Sequence, residues 1–311
     1  MAQVTMQLVK ELRDRTQAGL ADCKSALGEA EGDIEKAIEI ILKKGLAKSA
    51  KRAGAAASEG EVVAKVAADG KSAVMVEVNI QTDFAARNED FKAFVVTVLE
   101  AAAAADDGAD LGSQPFPGGG GSVEEVRKAL VGKLGENVIV RRWVRLRVDG
   151  PGKVHSYVHM GGKVGVLLAA KLGDAAAEAK PEFAKFLDDT AMQGAAMAPL
   201  FLDDSSLDDA VVSKQKEIFA GQLAEEGKPE AAWPKIIEGK VAKWLREVCL
   251  VEQASVIEAD KSVDQLRAET AKGLGTTLDL VGFARFERGE GVEKKEDNFA
   301  DEVAAMAGKA N

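Results

Sequence analysis

The sequence predicts an α+β protein built from several modules, and three patterns carry this prediction. Residues 1–45 contain three short amphipathic helical patterns. Two groups of alternating apolar segments, typical of antiparallel strands joined by tight turns, follow within 62–78 and 138–170. A purely helical pattern then covers 207–251. Together they predict an N-terminal three-helix module, a two-part α+β core with antiparallel three-stranded sheets, a protruding antiparallel helical hairpin and a C-terminal helix.

The composition bounds the class of protein. The chain has 311 residues, which favours two or three domains, and its 46% hydrophobic and 30% charged residues favour a soluble globular protein. Its formal net charge is −10. The acidic balance argues against direct binding of nucleic acid, since phosphate neutralisation needs a basic surface. No apolar run reaches the roughly 20 residues of a membrane span, and no signal-peptide pattern opens the chain. Two cysteines, Cys23 and Cys249, give no disulfide framework, so we expect a cytoplasmic protein with buried thiols.

The first 60 residues predict a docking module followed by a linker. Gly45 is predicted to end the third helix. Residues 48–60 are rich in Ala, Lys and Ser with little to bury, which indicates a helical or flexible linker. A module this small is near the lower limit for independent folding and is more often a docking piece than a catalytic one.

The stretch 79–88 is the most informative part of the sequence. It follows a hairpin whose second strand alternates as a half-buried strand does, and it precedes a helix that Asn88 is predicted to cap. Thr82, Asp83 and Phe84 therefore lie where a strand ends and a helix has yet to begin. Phe84 is either displayed to a partner or folded back on the helix as a staple, and Asp83 is either functional or a turn former.

The middle of the chain predicts a variable segment and a second set of strands. Residues 106–122 include four successive glycines and are low in complexity, which predicts a mobile surface excursion. Three strands over 138–148, 154–160 and 164–170 predict an antiparallel meander. Alternating Arg and apolar residues at 141–147 indicate that the first of these strands has one hydrated face. The first hairpin with its helix and this meander with the helix that follows it resemble two crude copies of one α+β unit.

The helical region over 207–251 predicts two helices that fold back on each other. Gly227-Lys228-Pro229 interrupts the pattern, which favours an antiparallel hairpin. Its apolar stripes are either core or the docking face of a protruding arm. After this region, 278–286 alternates as a strand, and 299–306 indicates a last amphipathic helix.

The residues predict no active site of the protein's own. Gly70-Lys71-Ser72 is similar to the end of a phosphate-binding loop, but Lys65 occupies the position of its first glycine and a strand follows instead of a helix. His155 and His159 lie about 13 Å apart on a predicted strand, too far to share a metal. These residues favour a multi-domain binding protein. A scaffold protein and an Mg²⁺-dependent phosphohydrolase using Asp83 remain open as alternatives.

Six motifs support a resemblance to a known family. They are 12–27, 77–84, Gly135-Glu136-Asn137, Ser156-Tyr157-Val158-His159, 282–286 and Gly289-Glu290-Gly291. In this order, and over nearly the whole chain, they resemble the bacterial elongation factor Ts family.

The resemblance implies a guanine-nucleotide exchange factor for elongation factor Tu, and not an enzyme. In the family, a helical (UBA-like) N-terminal domain and a C-terminal helix contact the G domain of the partner. A two-part core carries the Thr-Asp-Phe loop, and a helical hairpin, the coiled-coil arm, projects from that core. Thr82, Asp83, Phe84 and Ala85 would disturb the partner's Mg²⁺ site, with Phe84 wedged between helices and Asp83 forming hydrogen bonds. Further partner-facing positions by resemblance are Lys24, Leu134, Gly135, His159, Val256 and Ile257.

The resemblance also implies domain boundaries and partners. The implied modules are 1–55 (N-terminal module and linker), 56–149 (first core part), 150–198 and 250–290 (second core part), 199–249 (arm) and 291–311 (C-terminal helical module). The partner would be elongation factor Tu in its GDP-bound and nucleotide-free forms, with no direct nucleic acid and no membrane. A homodimer through the arm and a 2:2 complex are both open. The protein would hold no cofactor, because GDP and Mg²⁺ belong to the partner.

Overall fold

The computed structural model describes residues 4–16, 18–52 and 54–293. Its helices are α1 Met6–Thr16, α2 Leu20–Glu29, α3 Ile34–Arg52, α4 Asp83–Ala86, α5 Glu89–Ala104, α6 Val123–Leu134, α7 Pro181–Met197, α8 Asp209–Glu225, α9 Trp233–Val248 and α10 Val263–Leu274. Its strands are β1 Glu59–Val66, β2 Ser72–Ile80, β3 Val138–Arg147, β4 Gly152–His159, β5 Val164–Leu172 and β6 Leu278–Glu287.

The strands form two antiparallel three-stranded sheets, which confirms the predicted α+β class. The orders are β1-β2-β3 and β4-β5-β6. The predicted meander is wrong, because β3 pairs with β2 and the third strand of the second sheet is β6. The physical reason lies in β2, which is buried along nearly its whole length and needs a hydrogen-bonded neighbour on each edge.

The core is arranged in four layers, with the two sheets face to face and helices outside each. Val74, Val76 and Val78 pack against α5 and α6, whereas Ala73 and Met75 pack against the second sheet. The prediction of a half-buried β2 is therefore wrong, since both of its faces are covered. On the second sheet, α7 and α10 cover the outer face. Because each sheet lies between two other layers, the central strands β2 and β5 are covered on both faces. This explains why their sequences are almost continuously apolar.

The two halves of the core repeat the same unit in more detail than the sequence patterns indicated. Unit one is β1-β2-α4-α5-α6-β3, and unit two is β4-β5-α7-α10-β6. Gly60 and Gly152 occupy equivalent places with φ of +125° and +135°. A Cβ on either would lie 2.1 or 2.2 Å from the carbonyl oxygen of Val78 or Ala170, so both positions require glycine. Each central strand also carries a bulge at the same place.

The closing helix and strand of each unit also match. α6 and α10 both begin with a capping box, formed by Ser122 with Glu125 and by Ser262 with Gln265. In unit one, Arg127 donates to the backbone carbonyl of Val138 at 2.6 Å. In unit two, Arg267 donates to that of Leu278 at the same distance.

The N-terminal module packs its three helices around its own small core and then docks on α6. The prediction that Gly45 ends the third helix is wrong, because α3 continues to Arg52, and the first part of the predicted linker is therefore helical. Gly45 instead lies against Gly132 of α6, where a Cβ on Gly132 would come within 2.8 Å of the Cα of Gly45. The two glycines allow the backbones of α3 and α6 to touch.

The segment 106–122 lies at the surface, as predicted, but a few of its side chains anchor it on unit one. Its mobility stays a prediction. Leu111 is buried, and the ring of Phe116 stacks on that of Phe94 with centroids 5.7 Å apart. Trp143 donates from its indole nitrogen to the carbonyl of Ala109 at 3.0 Å. The glycines 118–121 all have φ between +92° and +103°, which explains their number.

The hydrated face predicted for β3 is less exposed to solvent than the alternating pattern indicated. Arg141 and Arg142 reach the buried carboxylate of Glu77 at 3.0 and 2.6 Å. Arg145 is only 7% exposed and pairs with Asp107 at 2.9 Å. The alternating pattern indicated a strand correctly, but Arg141, Arg142 and Arg145 are largely covered and form ion pairs, and only Arg147 among the four arginines is more than half exposed.

The arm is an antiparallel pair of helices, α8 and α9, as predicted. Lys240 of α9 lies 5.6 Å from the ring centroid of Phe219 and 3.3 Å from the amide oxygen of Gln222, both in α8. Within these two fully described helices, only Leu223 and Val241 are buried. The association of two copies through the arm stays a prediction, as do the domain boundaries. The helix predicted over 299–306 lies outside the described residues.

Candidate functional site

The candidate site is the Thr82 turn, residues 82–87, between β2 and α5. The sequence predicted a stretch that is not yet helical, but residues 83–86 form the one-turn helix α4. Thr82 is its N-cap, with extended dihedral angles, and its hydroxyl oxygen accepts from the backbone N–H of Ala85 at 3.2 Å. The predicted cap of α5 is confirmed, since Asn88 accepts from the N–H of Asp90 at 2.8 Å. These two closely spaced caps hold the turn in one conformation.

Phe84 projects from this turn into solvent. Its side chain is 81% exposed, so the interpretation of Phe84 as a staple is wrong. The neighbouring Ala86 is buried and Ala85 packs against the core of unit one. The turn thus anchors itself through its alanines and displays its single large apolar residue. The exposed ring is therefore available for contact with another molecule, and aromatic rings contribute strongly where they are buried in interfaces.

Asp83 forms an ion pair with Arg87, one helical turn later. The carboxylate and guanidinium are 2.8 Å apart, and both side chains are largely exposed. A pair of this kind contributes little to stability by itself. It orients the Asp83 carboxylate toward the C-terminal end of the turn.

Two residues of the turn between α6 and β3 form hydrogen bonds to the start of the Thr82 turn and to the residue before it. Glu136 accepts from the backbone N–H of Thr82 at 3.0 Å and from its hydroxyl at 2.7 Å. Asn137 donates its backbone N–H to the side-chain oxygen of Gln81 at 2.7 Å. Sequence reasoning assigned Glu136 no role, although the Gly135-Glu136-Asn137 motif was a signal that could have found it.

The other predicted partner-facing residues lie on several elements. Leu134 ends α6 and packs on the core, and Gly135 caps that helix at φ +74°. Both immediately precede Glu136, so the fold brings them beside Thr82. The remaining four are exposed at Lys24 in α2, His159 at the end of β4, and Val256 and Ile257 after the arm. No hydrogen bond or ion pair among the described residues joins these four to the Thr82 turn.

Buried Gln193 of α7 fixes the loop that carries Val256 and Ile257. Its amide nitrogen donates to the carbonyl of Ala254 at 3.1 Å, and its oxygen accepts from the N–H of Val256 at 2.7 Å. Ser255 in turn accepts from the N–H of Ile257 at 3.1 Å. Sequence reasoning missed Gln193, since it lies 63 residues from Val256 within an ordinary helical pattern.

The described residues offer little that resembles a catalytic or metal site. They contain no group of three or more His, Cys, Asp or Glu side chains placed to hold a metal ion. Lys71 of the rejected phosphate-loop motif pairs with Glu178 at 2.6 Å. Burial, with Asp204 and Glu252 nearby, raises the pKa of the Cys249 thiol to about 11, so it stays protonated at neutral pH. None of the described helices is long and apolar enough to cross a membrane.

Comparison with known proteins gives a consistent result. The family model described as "Elongation factor TS" matches residues 81–290. A protein named elongation factor Ts from a Nitratiruptor species is 48% identical over 302 residues, covering 96% of this chain and 97% of that protein. One of the same name from Clostridium perfringens is 45% identical over 309 residues, covering 98% of this chain and 100% of that protein.

Proposed function

The chain belongs to the elongation factor Ts family of translation elongation factors, and we propose that it is the guanine-nucleotide exchange factor for elongation factor Tu. It binds the GDP-bound partner, disturbs the partner's Mg²⁺ site and promotes release of GDP, so that GTP can bind. The single observation that carries this proposal is Phe84, held 81% exposed on a capped helical turn. An ordered aromatic ring costs little entropy when it inserts into a partner.

The proposed action requires no chemistry from the protein itself. GDP binding depends on Mg²⁺ and on backbone amides that neutralise the phosphates. A protein that binds the distorted or empty G domain more tightly than the GDP-bound form must weaken GDP by the same factor, because coupling between two sites is reciprocal. Thr82, Asp83, Phe84 and Ala85 are the proposed contact to the Mg²⁺ site. Lys24, Leu134, Gly135, His159, Val256 and Ile257 are proposed as further contacts.

The test is the rate at which elongation factor Tu releases a fluorescent GDP analogue. We expect the wild-type chain to accelerate release when present in substoichiometric amounts. Phe84→Ala should lower this acceleration by about thirtyfold, the equivalent of the roughly 2 kcal/mol of an interface hot spot. Val96→Ala is the matched control, since Val96 is also an exposed apolar residue of unit one, on α5, and it should leave the rate within about twofold.

The outcomes separate the alternatives. Wild-type protein that binds the partner without accelerating GDP release would exclude exchange and favour a scaffold. Equal acceleration by wild type and Phe84→Ala would support the exchange function but would show that Phe84 is not the main residue responsible for it. Turnover of a phosphorylated substrate without any partner would favour the phosphohydrolase hypothesis.

A further inference from the structure

We propose that Glu136 is a positioning residue, which acts through Thr82 to hold Phe84 in the orientation that exchange requires. This inference rests on the proposed exchange function. Glu136 is not part of the Thr82 turn and comes from the turn between α6 and β3. Its role is to connect that rigid part of unit one to the displayed ring.

The connection is a continuous chain of hydrogen bonds. Both carboxylate oxygens of Glu136 are used on one residue, because Oε2 accepts from the N–H of Thr82 and Oε1 accepts from its hydroxyl. The same hydroxyl oxygen accepts from the N–H of Ala85, on the far side of Phe84. Bonds to a charged acceptor are stronger than bonds between neutral groups. Phe84 is therefore bracketed by two residues whose backbone N–H groups depend, directly or through one hydroxyl, on Glu136.

A second set of bonds keeps Glu136 itself in place. The next residue, Asn137, is buried, donates its N–H to Gln81, and donates its amide nitrogen to the carbonyl of Ala55 at 2.9 Å. Glu136 and Asn137, which are adjacent in one turn, thus form hydrogen bonds to Thr82 and Gln81, which are adjacent in the chain. The carboxylate of Glu136 starts from a fixed backbone, which is what a positioning group needs.

Unit two provides an internal comparison, because it repeats the fold without a carboxylate at the place of Glu136. By the equivalence of Gly60 with Gly152, the counterparts of Thr82 and Phe84 are Asp174 and Ala176. Asp174 caps the short turn that follows β5 through a bond to the N–H of Ala176 at 2.9 Å. By the equivalence of Ser122 with Ser262, the counterpart of Glu136 is Thr276, a residue without a carboxylate.

The comparison separates folding from function. A strand-to-helix corner also forms in unit two, where Asp174 caps the turn and Gly173 donates its backbone N–H to the carbonyl of Thr277 at 3.1 Å. A carboxylate at position 136 is therefore not a requirement of the fold. The carboxylate is present in unit one, which has Phe84 at this corner, and absent in unit two, which has Ala176 there. The carboxylate is therefore assigned to orientation of the ring.

The test is a double-mutant cycle between Glu136→Ala and Phe84→Ala, measured as the acceleration of GDP-analogue release from elongation factor Tu. Glu136→Ala should lower the maximal rate about tenfold in the wild-type background. It should change the rate less than about twofold in the Phe84→Ala background, because a residue that acts through Phe84 has nothing left to position. Glu136→Gln keeps one acceptor oxygen and should be intermediate. Glu100→Ala is the matched control, since it removes an exposed carboxylate that pairs with Lys65 at 2.6 Å, away from the turn.

A second measurement needs no partner. Amide hydrogen exchange of the free protein should be faster at residues 84–86 in Glu136→Ala and unchanged in the strands of the core. A full effect of Glu136→Ala in the Phe84→Ala background would show that Glu136 contacts the partner itself, and unchanged exchange protection would show that it orients nothing. Either result overturns the inference. Failure of the wild-type protein to release GDP would instead overturn the proposed function.

Discussion

Glu77 of β2 is a charged residue held on several sides within the core. Its carboxylate is fully buried and accepts from Arg141, from Arg142, from Asn79 and from the backbone N–H of Gly289 at 2.8 Å. Burial alone would raise the pKa of Glu77, but the hydrogen bonds, beginning with that from Gly289, hold its pKa below the usual value. The residue joins β2 and β3 of the first sheet to the turn that follows β6.

Replacement of this carboxylate gives a prediction with a defined pH dependence. Glu77→Gln should lower the free energy of unfolding by about 3 kcal/mol at pH 7, because it leaves two arginines without their buried countercharge. Since the folded-state pKa is lowered, the stabilisation is present above the unfolded pKa of about 4.3 and is lost as pH falls through the folded value. Urea unfolding of both proteins from pH 7 to pH 3 measures this difference.

The control for this prediction is an exposed ion pair. Glu100→Gln, opposite Lys65, should cost less than about 1 kcal/mol at any pH. A gap between wild type and Glu77→Gln that stays constant down to pH 3 would contradict the assigned charge state of Glu77.

Sequence reasoning at this scale found residues whose signals are local and missed those whose partners are distant. The Asn88 cap needs only the neighbouring residues, and it was predicted correctly. Glu77 resembles an ordinary outward-facing polar residue of an alternating strand, since its partners are 64, 65 and 212 residues away. Glu136 was missed for the same reason, because Thr82 lies 54 residues away.

At the scale of elements, the contact between α3 and α6 reverses the effect on stability that is usual when a helical glycine is replaced by alanine. Replacement of an exposed helix-interior glycine by alanine ordinarily stabilises by up to about 1 kcal/mol. At Gly132 the added Cβ would lie 2.8 Å from the backbone of Gly45, so the helices must separate. We expect Gly132→Ala to destabilise the protein by about 1–3 kcal/mol, the range for overpacking. Thermal unfolding by circular dichroism measures the change.

Gly239 provides the matched control for that measurement. It is exposed in the middle of α9, and a Cβ built there meets nothing within 4 Å. Gly239→Ala should therefore stabilise or leave the melting temperature unchanged. If Gly132→Ala behaved in the same way, the close contact between α3 and α6 would not exist in solution.

The same contact explains which elements the sequence could predict. Helix starts and ends with their own signals, such as Ser122 and Gly135 around α6, follow from the local sequence. The end of α3 does not follow from the local sequence. A glycine such as Gly45 can either end a helix or allow close contact with another helix, and only knowledge of Gly132 distinguishes these two roles. The place of β3 was missed likewise, since alternation identifies a strand but carries no information about which edge it pairs with.

At the scale of the whole molecule, the protein is a duplicated α+β unit with one insertion. Unit one connects α5 to α6 through the compact segment 105–122. Unit two connects α7 to α10 through the arm, whose base is closed by the bridge between Phe201 and Cys249. The two sheets share one apolar layer, in which Gly165 lies so close to Val62 and Met75 that a Cβ would approach them within 2.5 and 2.7 Å. Two units joined this closely should unfold together.

This architecture predicts that the arm is dispensable for stability. Replacement of residues 203–247 by a short Gly-Ser linker joins chain ends that already lie side by side at the base. Since the arm helices bury Leu223 and Val241 against each other and little against the core, the shortened chain should unfold in a single transition. Its melting temperature should lie within about 4 °C of the wild-type value, a shift that corresponds to roughly 1 kcal/mol for a domain of this size.

The counterpart segment of unit one gives the opposite expectation and serves as the control. Replacement of 110–121 by the same linker removes buried Leu111 and the Phe116–Phe94 stack, so we expect a loss of about 2–5 kcal/mol. Differential scanning calorimetry compares the two shortened chains with the wild type. If the arm-less chain melted far below the wild type or in two steps, the arm would be part of what joins the units. Unit two would then require the arm in order to fold, although unit one has the same architecture and contains no arm.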